Sequence, residues 1–337
     1  MTEMTVLNGV AIEELLTIPM AVEAVEQAYL EKSKGDAALW PMVFHEFDPG
    51  HADLDIKSGD LGGLGFYGLK VVSWFGANPG KGLPALYGTS LLFDLATGAP
   101  RALLNAGPIT DFRTGAAGAI GAKYLARPDA ETLLMAGTGA LAPYLIAAAL
   151  YLLPQIKTVY VTNPHHSECS AAACEAITPQ VEKLLSGCGG CHAAIAAAPD
   201  LEKAVRHSDV ILTATPAREP FIKAEWVQPG THISCVGADM PGKQEVDSAL
   251  FASAKVFGDD TAQCLSVGEC EVPYKAGVFS GHICEIGGVI SGAEAGRTDA
   301  SDITIFDSTG IALQDIATAA ALLQAAQETG KGQTVTL

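Results

Sequence analysis

Charge is scarce in this chain, and what charge there is leans one way. Only 17% of its 337 residues are charged, with 38 acids against 20 lysines and arginines and a formal net charge of −18. A basic surface is missing, which speaks against nucleic acid or an anionic membrane as partner, since both repel an acidic protein. No apolar run reaches the roughly 20 residues that would span a bilayer. The opening stretch Met1–Leu16 carries acids where a secretory signal needs a basic region, so the expected location is cytoplasmic. Repeats, low-complexity tracts and long linkers are also missing. With 49% hydrophobic residues, such a chain folds as a compact globular protein long enough for two cores.

Metal spacings are missing too. His45-Glu46 and His51 lack the i, i+4 spacing of a zinc-binding helix, so no metal is expected. The eight cysteines are scattered between Cys169 and Cys284, and without an export signal they are expected as reduced thiols. Cys188-Gly-Gly-Cys191-His192 matches the C-x-x-C-H spacing of covalent haem attachment. That attachment follows export, and the stretch leads straight into the apolar run His192–Ala198. A loop between a helix and a strand is the reading taken.

What is present is organised around Glu131–Ala142, which reads ETLLMAGTGALA. Thr132–Ala136 has the length and apolarity of a buried strand. Gly137, Gly139 and Ala142 form a Gly-x-Gly-x-x-Ala turn, and the helical run Pro143–Leu153 follows. Small residues there permit a tight turn, approach of main-chain N–H groups to a pyrophosphate, and close helix–strand packing. The helix N-terminus adds partial positive charge. Strand, turn and helix in this order indicate a dinucleotide site.

Before the turn, Glu13–Lys34 carries Leu15, Ile18, Val22, Val25 and Tyr29 at helical spacing, with Gly35 as a stop. Met42–Phe47, Gly68–Trp74 and Thr89–Asp94 read as strands of an antiparallel region. Asp111–Ala126 is an Ala- and Gly-rich helix. Strand-like runs then alternate with helices: Leu133–Ala136, Thr158–Val161, Ala193–Ala197 and Val210–Thr213, extended by Ile233–Val236 and Lys255–Phe257. That alternation predicts a parallel sheet of right-handed βαβ units. Ile311–Glu328 is an Ala-rich closing helix.

Four stretches beside the turn can carry chemistry, each with a plain alternative. Lys70 heads an apolar strand, as a solvated edge residue or as one that carries chemistry. Arg113, in Thr110-Asp111-Phe112-Arg113-Thr114-Gly115, is a surface charge or a bidentate grip on a carboxylate or phosphate. Asp239, in Val236-Gly237-Ala238-Asp239-Met240-Pro241-Gly242-Lys243, forms a turn or lies at the carboxyl edge where open α/β sheets bind ligands. Thr213-Ala214-Thr215 ends a strand with two hydroxyls, for a ribose or for an ordinary turn.

Together these stretches resemble the ornithine cyclodeaminase/mu-crystallin family, from about Gly68 to Gln314. The resemblance is carried by Arg113–Ala117 with Lys123–Pro128, Gly137–Ala140, Pro229–His232, Val236–Lys243 and Thr304–Gly310. It implies an α/β fold: a Rossmann dinucleotide-binding domain over residues 126–308, and an α+β substrate and dimerisation domain built from both chain ends, 1–125 and 309–337. A homodimer is implied. So are residue roles: Asp239 as acid/base, in a partly dry cleft that raises its pKa, and Lys70 beside the substrate as a proton or carboxylate partner. Arg113 and Thr309 would also bind substrate, and Arg113 and Thr114 the cofactor. The cofactor would further meet Gly137, Thr138, Gly139, Ala140, Asn163, His165, Thr213, Ala214, Thr215, Val236 and Gly237. Two departures are visible. Many members carry a Pro-x-Arg whose Arg grips the substrate carboxylate, whereas Pro41-Met42 is followed by Val43, leaving Lys57 as the candidate to supply that charge. Leu141 stands where Gln is usual.

An NAD enzyme places an acid about 20 residues beyond the glycines for the ribose 2′-OH. Here the stretch is Thr162-Asn163-Pro164-His165-His166-Ser167, with no acid before Glu168. The cofactor expectation is therefore NAD(P), leaning to NADP, with His165, His166 and Ser167 as donors or simply as solvated loop residues. The implied activity is an amino-acid dehydrogenase or imino-acid (ketimine) reductase acting on a small substrate. The alternatives are redox-neutral ornithine cyclodeamination with release of ammonia, and a non-catalytic NADPH and small-ligand binding protein.

Overall fold

The computed structural model describes residues 3–189 and 193–337, and the chain divides into two units, Met1–Arg113 with Ile311–Leu337 and Thr114–Gly310. The first unit opens with β1 (Glu3–Leu7), α1 (Gly9–Leu15) and α2 (Ile18–Lys34). The single helix expected over Glu13–Lys34 is broken at Leu16-Thr17. Thr17 is extended and its side chain accepts the Met20 N–H, and Pro19 follows in the first turn, so a new helix starts there.

The strands β2 (Ala37–Leu39), β3 (Val43–Asp48), β4 (Ala52–Leu61), β5 (Phe66–Phe75), β6 (Leu86–Asp94) and β7 (Pro100–Asn105) follow. From β3 to β7, consecutive strands pair antiparallel, as the apolar runs predicted. Strand β4 has no apolar run to mark it in the sequence, because Asp53, Asp55, Lys57 and Asp60 break its pattern. Helix α3 (Ala106–Leu125) then crosses from one unit into the other.

The second unit runs β8 (Thr132–Ala136), α4 (Ala142–Leu152), β9 (Thr158–Thr162), α5 (Ser170–Leu185), β10 (Ala194–Ala197), α6 (Leu201–Arg206) and β11 (Val210–Thr213). It continues through β12 (His232–Cys235), β13 (Lys255–Gly258), α7 (Thr261–Val267), α8 (Glu271–Lys275), β14 (Cys284–Glu285), α9 (Ile286–Ser291) and β15 (Thr304–Asp307). Its sheet has the order β10-β9-β8-β11-β12-β15-β13-β14. All of these pairings are parallel. Strand order reverses at β8, between β9 and β11, which is where a doubly wound sheet opens a crevice beyond its strands' carboxyl ends. The second unit is a Rossmann domain. Its β15, fully buried yet polar at both ends, was not read as a strand in the sequence. Cys191 and His192 of the C-x-x-C-H spacing lie outside the described residues. No helix among the described residues is long and apolar enough to cross a membrane.

Helix α10 (Ala312–Thr329) and strand β16 (Gln333–Thr336) return the chain to the first unit. There β16 pairs antiparallel with β1, and β1 pairs parallel with β7. Leu313, Ile316, Leu322 and Leu323 of α10 are buried, and the helix packs on α2, β4 and β5.

The chain passes from the first unit to the second inside α3, at Arg113/Thr114, and glycines bring the turns that follow close to their neighbours. A Cβ at Gly115 would lie 2.6 Å from the Tyr144 carbonyl oxygen, and one at Gly121 would lie 2.3 Å from the Phe306 ring. The later turns of α3 therefore lie directly on α4 and β15. At Gly115 the neighbour is main chain, which cannot swing aside. Gly115→Ala should therefore lose about 1–3 kcal/mol to overpacking, although alanine is ordinarily the better helix former. Urea denaturation reads the difference, and an unchanged or raised midpoint would contradict this close approach.

Candidate functional site

Strand β8 delivers its chain to a turn that only glycine can make. Gly137 sits at φ 130, and a Cβ there would lie 2.5 Å from the Ala214 carbonyl oxygen. Its N–H donates to the Thr162 carbonyl at 3.0 Å, which ties the turn to β9. Gly139 is different, because a Cβ built on it meets nothing within 4 Å. Helix α4 then begins with Pro143 in its first turn and no side-chain cap at Leu141. These residues fit a dinucleotide: one glycine the fold requires, a second facing open space, and a helix N-terminus that can take anionic oxygens.

Next to the turn, Asn163 donates from Nδ2 to the Thr138 hydroxyl at 3.0 Å. Its Oδ1 accepts the N–H groups of His165 and His166 at 3.1 and 2.9 Å. The amide thus shapes the stretch after β9, and both histidines are left exposed. His165 meets Phe221 edge to face at 5.7 Å, and His166 Nδ1 lies 3.5 Å from Glu168.

The Thr213 and Thr215 hydroxyls, the candidates for a ribose, already have a partner. Both donate to the buried carboxylate of Glu245, at 2.6 and 2.7 Å, so their protons are engaged inside the protein. The N–H of Gly237 reaches the same carboxylate at 2.9 Å, and Val236 is buried beside it. The hydroxyl of Thr309 is likewise engaged, donating to Asp259 at 2.7 Å. Thr114 is buried on α3.

Asp239 follows β12 in the surface turn closed by Gly242, which is at φ 75. The partly dry setting expected for it is absent from this unit. Its side chain is 51% exposed and lies 2.5 Å from Nζ of Lys243, whose own side chain is 16% exposed.

In the first unit, Lys70 and Arg113 are brought together by a residue the sequence reading did not single out. Asp315, in the first turn of α10, places its carboxylate 3.0 Å from Lys70 Nζ and 3.2 Å from Arg113 Nε. The adjacent Gln314 accepts from Arg113 Nη1 at 2.9 Å and donates to the Tyr29 hydroxyl at 2.7 Å. Lys70 also reaches the Thr110 hydroxyl at 3.4 Å. Lys57 stands opposite Lys70 in the β4–β5 register. Lys70 and Asp315 are each 3% exposed, so the solvated-edge reading of Lys70 does not hold. Burial, then the nearby Arg113 and Lys57, pull the Lys70 pKa down to about 8 against the opposing pull of Asp315. Burial raises the Asp315 carboxyl, but Lys70 and Arg113 outweigh it and hold the group below its ordinary value. Three cations around one carboxylate can take up a further anion, and one of them can switch charge near neutral pH. The one hint of Asp315 in the sequence is an acid inside an otherwise apolar helical run.

A family model for the ornithine cyclodeaminase/mu-crystallin family matches residues 2–330. A solved archaeal alanine dehydrogenase dimer with bound NAD is 36% identical, with 99% of each chain covered and a TM-score of 0.86. The iminosuccinate reductase of Paracoccus denitrificans, solved with NAD+, is 32% identical, covering 99% of this chain and 100% of its own at a TM-score of 0.89. The Delta(1)-pyrroline-2-carboxylate reductase of Thermococcus litoralis, solved with NADH and L-proline, is 31% identical, covering 98% and 100% at a TM-score of 0.86. With its Rossmann unit, its glycine turn and a family match over nearly its whole length, the chain belongs to the ornithine cyclodeaminase/mu-crystallin family.

Proposed function

We propose that the protein is an NAD(P)-dependent oxidoreductase that interconverts a small amino acid and its imine, as an amino-acid dehydrogenase or imino-acid reductase. The observation that carries this reading is the buried group in which Lys70 and Arg113 share the carboxylate of Asp315. A neutral substrate would leave that excess of positive charge unanswered, whereas a carboxylate answers it. The relatives named above act on alanine, iminosuccinate and a pyrroline carboxylate, all of them carboxylates.

Gly137–Ala140 would hold the dinucleotide, which would supply hydride chemistry at the substrate α-carbon. Arg113 grips the substrate carboxylate, and Asp315 and Gln314 hold its Nε and Nη1 side so that its orientation is set in advance. Lys57 supplies the charge that the family's missing Pro-x-Arg would bring. Lys70 adds charge to the carboxylate and can yield a proton near neutral pH. Asp239 takes the proton from the substrate nitrogen or from the attacking group, and Lys243 beside it orients the carboxylate.

The stretch after β9 has no carboxylate to repel a 2′-phosphate, and His165 and His166 are exposed there as donors. We therefore read NADP(H) as accepted alongside NAD(H). The first unit exposes Trp40, Met42, Phe44, Phe47, Leu86 and Tyr87, an apolar surface that we read as the face of a homodimer. The related alanine dehydrogenase is a dimer in its solved structure.

Screening amino acids, and 2-oxo acids with amines, by nicotinamide absorbance tests the activity. Ammonia release without net absorbance change would move the reading to redox-neutral cyclodeamination. Gly139→Val should weaken NADH and NADPH binding at least tenfold while leaving the unfolding midpoint unchanged, because its side chain meets no protein atom. Undiminished affinity would remove the site. Lys70 is charged below about pH 8 and neutral above it, so KM for the carboxylate substrate should rise as pH passes 8. In Lys70→Arg that rise should be absent, because the guanidinium keeps its charge. Asp239→Asn should lower kcat by about 10²–10⁴-fold with dinucleotide affinity nearly unchanged, and a full-speed variant would exclude it as the base.

A further inference from the structure

One buried acid ties together the loops that follow two neighbouring strands. Glu245 is 0% exposed. Its Oε1 accepts the N–H and the hydroxyl of Thr215, both at 2.7 Å, and its Oε2 accepts the Thr213 hydroxyl at 2.6 Å and the Gly237 N–H at 2.9 Å. Thr213 and Thr215 end and follow β11, and Gly237 follows β12, its parallel neighbour. The fit leaves no slack. A Cβ on Gly237 would lie 2.3 Å from the Thr215 carbonyl oxygen and 2.6 Å from Glu245 Oε1.

Glu245 is itself held from behind. The Glu269 carboxylate accepts the Glu245 N–H at 2.8 and 3.1 Å and the Val246 N–H at 2.6 Å. The Glu245 carbonyl accepts the N–H groups of Phe221 and Ile222 at 3.0 and 3.1 Å. Burial pushes the Glu245 carboxyl up, and the four donors oppose that by favouring its charged form. A buried carboxylate with four short hydrogen bonds is a rigid anchor, because losing it would leave those donors unpaired.

Topology says what the anchored loops border. A doubly wound sheet takes one mononucleotide on each half, with the pyrophosphate at the switch point. Strands β8, β9 and β10 carry the glycine turn and the adenosine half. Strands β11, β12 and β15 form the other half, which would face the nicotinamide mononucleotide. We propose that Glu245 is a positioning residue that sets the wall of the nicotinamide half, acting through Thr213, Thr215 and Gly237 without touching the dinucleotide. This rests on the dinucleotide reading above.

Calorimetric titrations with two probes test it: NADH or NADPH, whichever binds the wild type more tightly, and ADP, which fills only the adenosine and pyrophosphate positions. Glu245→Gln keeps the size but replaces one acceptor oxygen by an N–H donor. It should raise the Kd of the reduced dinucleotide at least tenfold and leave that of ADP within twofold. Equal loss of both probes, loss of ADP alone, or loss of neither overturns the proposal. Should Glu245→Gln fail to fold, Thr213→Val removes one donor at nearly constant volume and should weaken the dinucleotide about fivefold with ADP unchanged. The same three contrary outcomes count against the proposal there. A wild-type chain that binds neither probe would instead refute the dinucleotide reading itself.

Discussion

Two buried cations sharing one carboxylate dictate how the first unit is assembled. Lys70 comes from β5 and Arg113 from α3, and neither can be taken from water without a counter-charge. Asp315 provides it from α10, a helix reached only after the chain has built the whole second unit. Removing one partner of such a buried group typically costs about 3–5 kcal/mol. The first unit therefore needs both ends of the chain, and the same charges that close it make its interior a place for a carboxylate. Gln314 extends the constraint to Tyr29 on α2, so three helices and a strand meet at one charged group.

The second unit handles its buried acids differently. Glu245, Glu269 and Asp259 are met chiefly by N–H and O–H donors of loops. Asp259 accepts the Gly310 N–H at 2.9 Å and the Thr309 hydroxyl, and so pins the segment that follows β15. Asp307, also buried, is pushed up to about 7 by its burial. Part of the chain's excess of acids is thus structural, holding irregular segments at the carboxyl ends of a parallel sheet. Glycine does the complementary work: at Gly137 and Gly237 a Cβ would strike main chain, so the loops can approach one another only because no side chain is there.

Where local signals were strong, sequence and structure agree closely. The run before Gly137 is β8, the alternation that follows is the parallel sheet, and Val210–Thr213 is β11 to the residue. Where a signal was mixed, it misled. The charges of β4 hid a strand because one of its faces carries polar groups. Apolar spacing ran on through Leu16-Thr17 and hid a cap. Thr213 and Thr215 looked available because nothing local marks Glu245, some 30 residues later, as their acceptor. Asp239, expected in a partly dry setting, is half exposed within its own turn beside Lys243.

The sequence by itself determined the elements whose causes lie within a dozen residues: the glycine turn, the βαβ alternation, the low and one-sided charge, and the residue types able to grip a carboxylate. Tertiary structure alone decided which of those groups are buried, which are already engaged, and which distant acid answers them. The physical reason is range. Backbone geometry and apolar periodicity act between near neighbours in the chain. A buried charge, by contrast, is settled by whatever the fold brings within about 3 Å, and for Lys70 that partner stands 245 residues away.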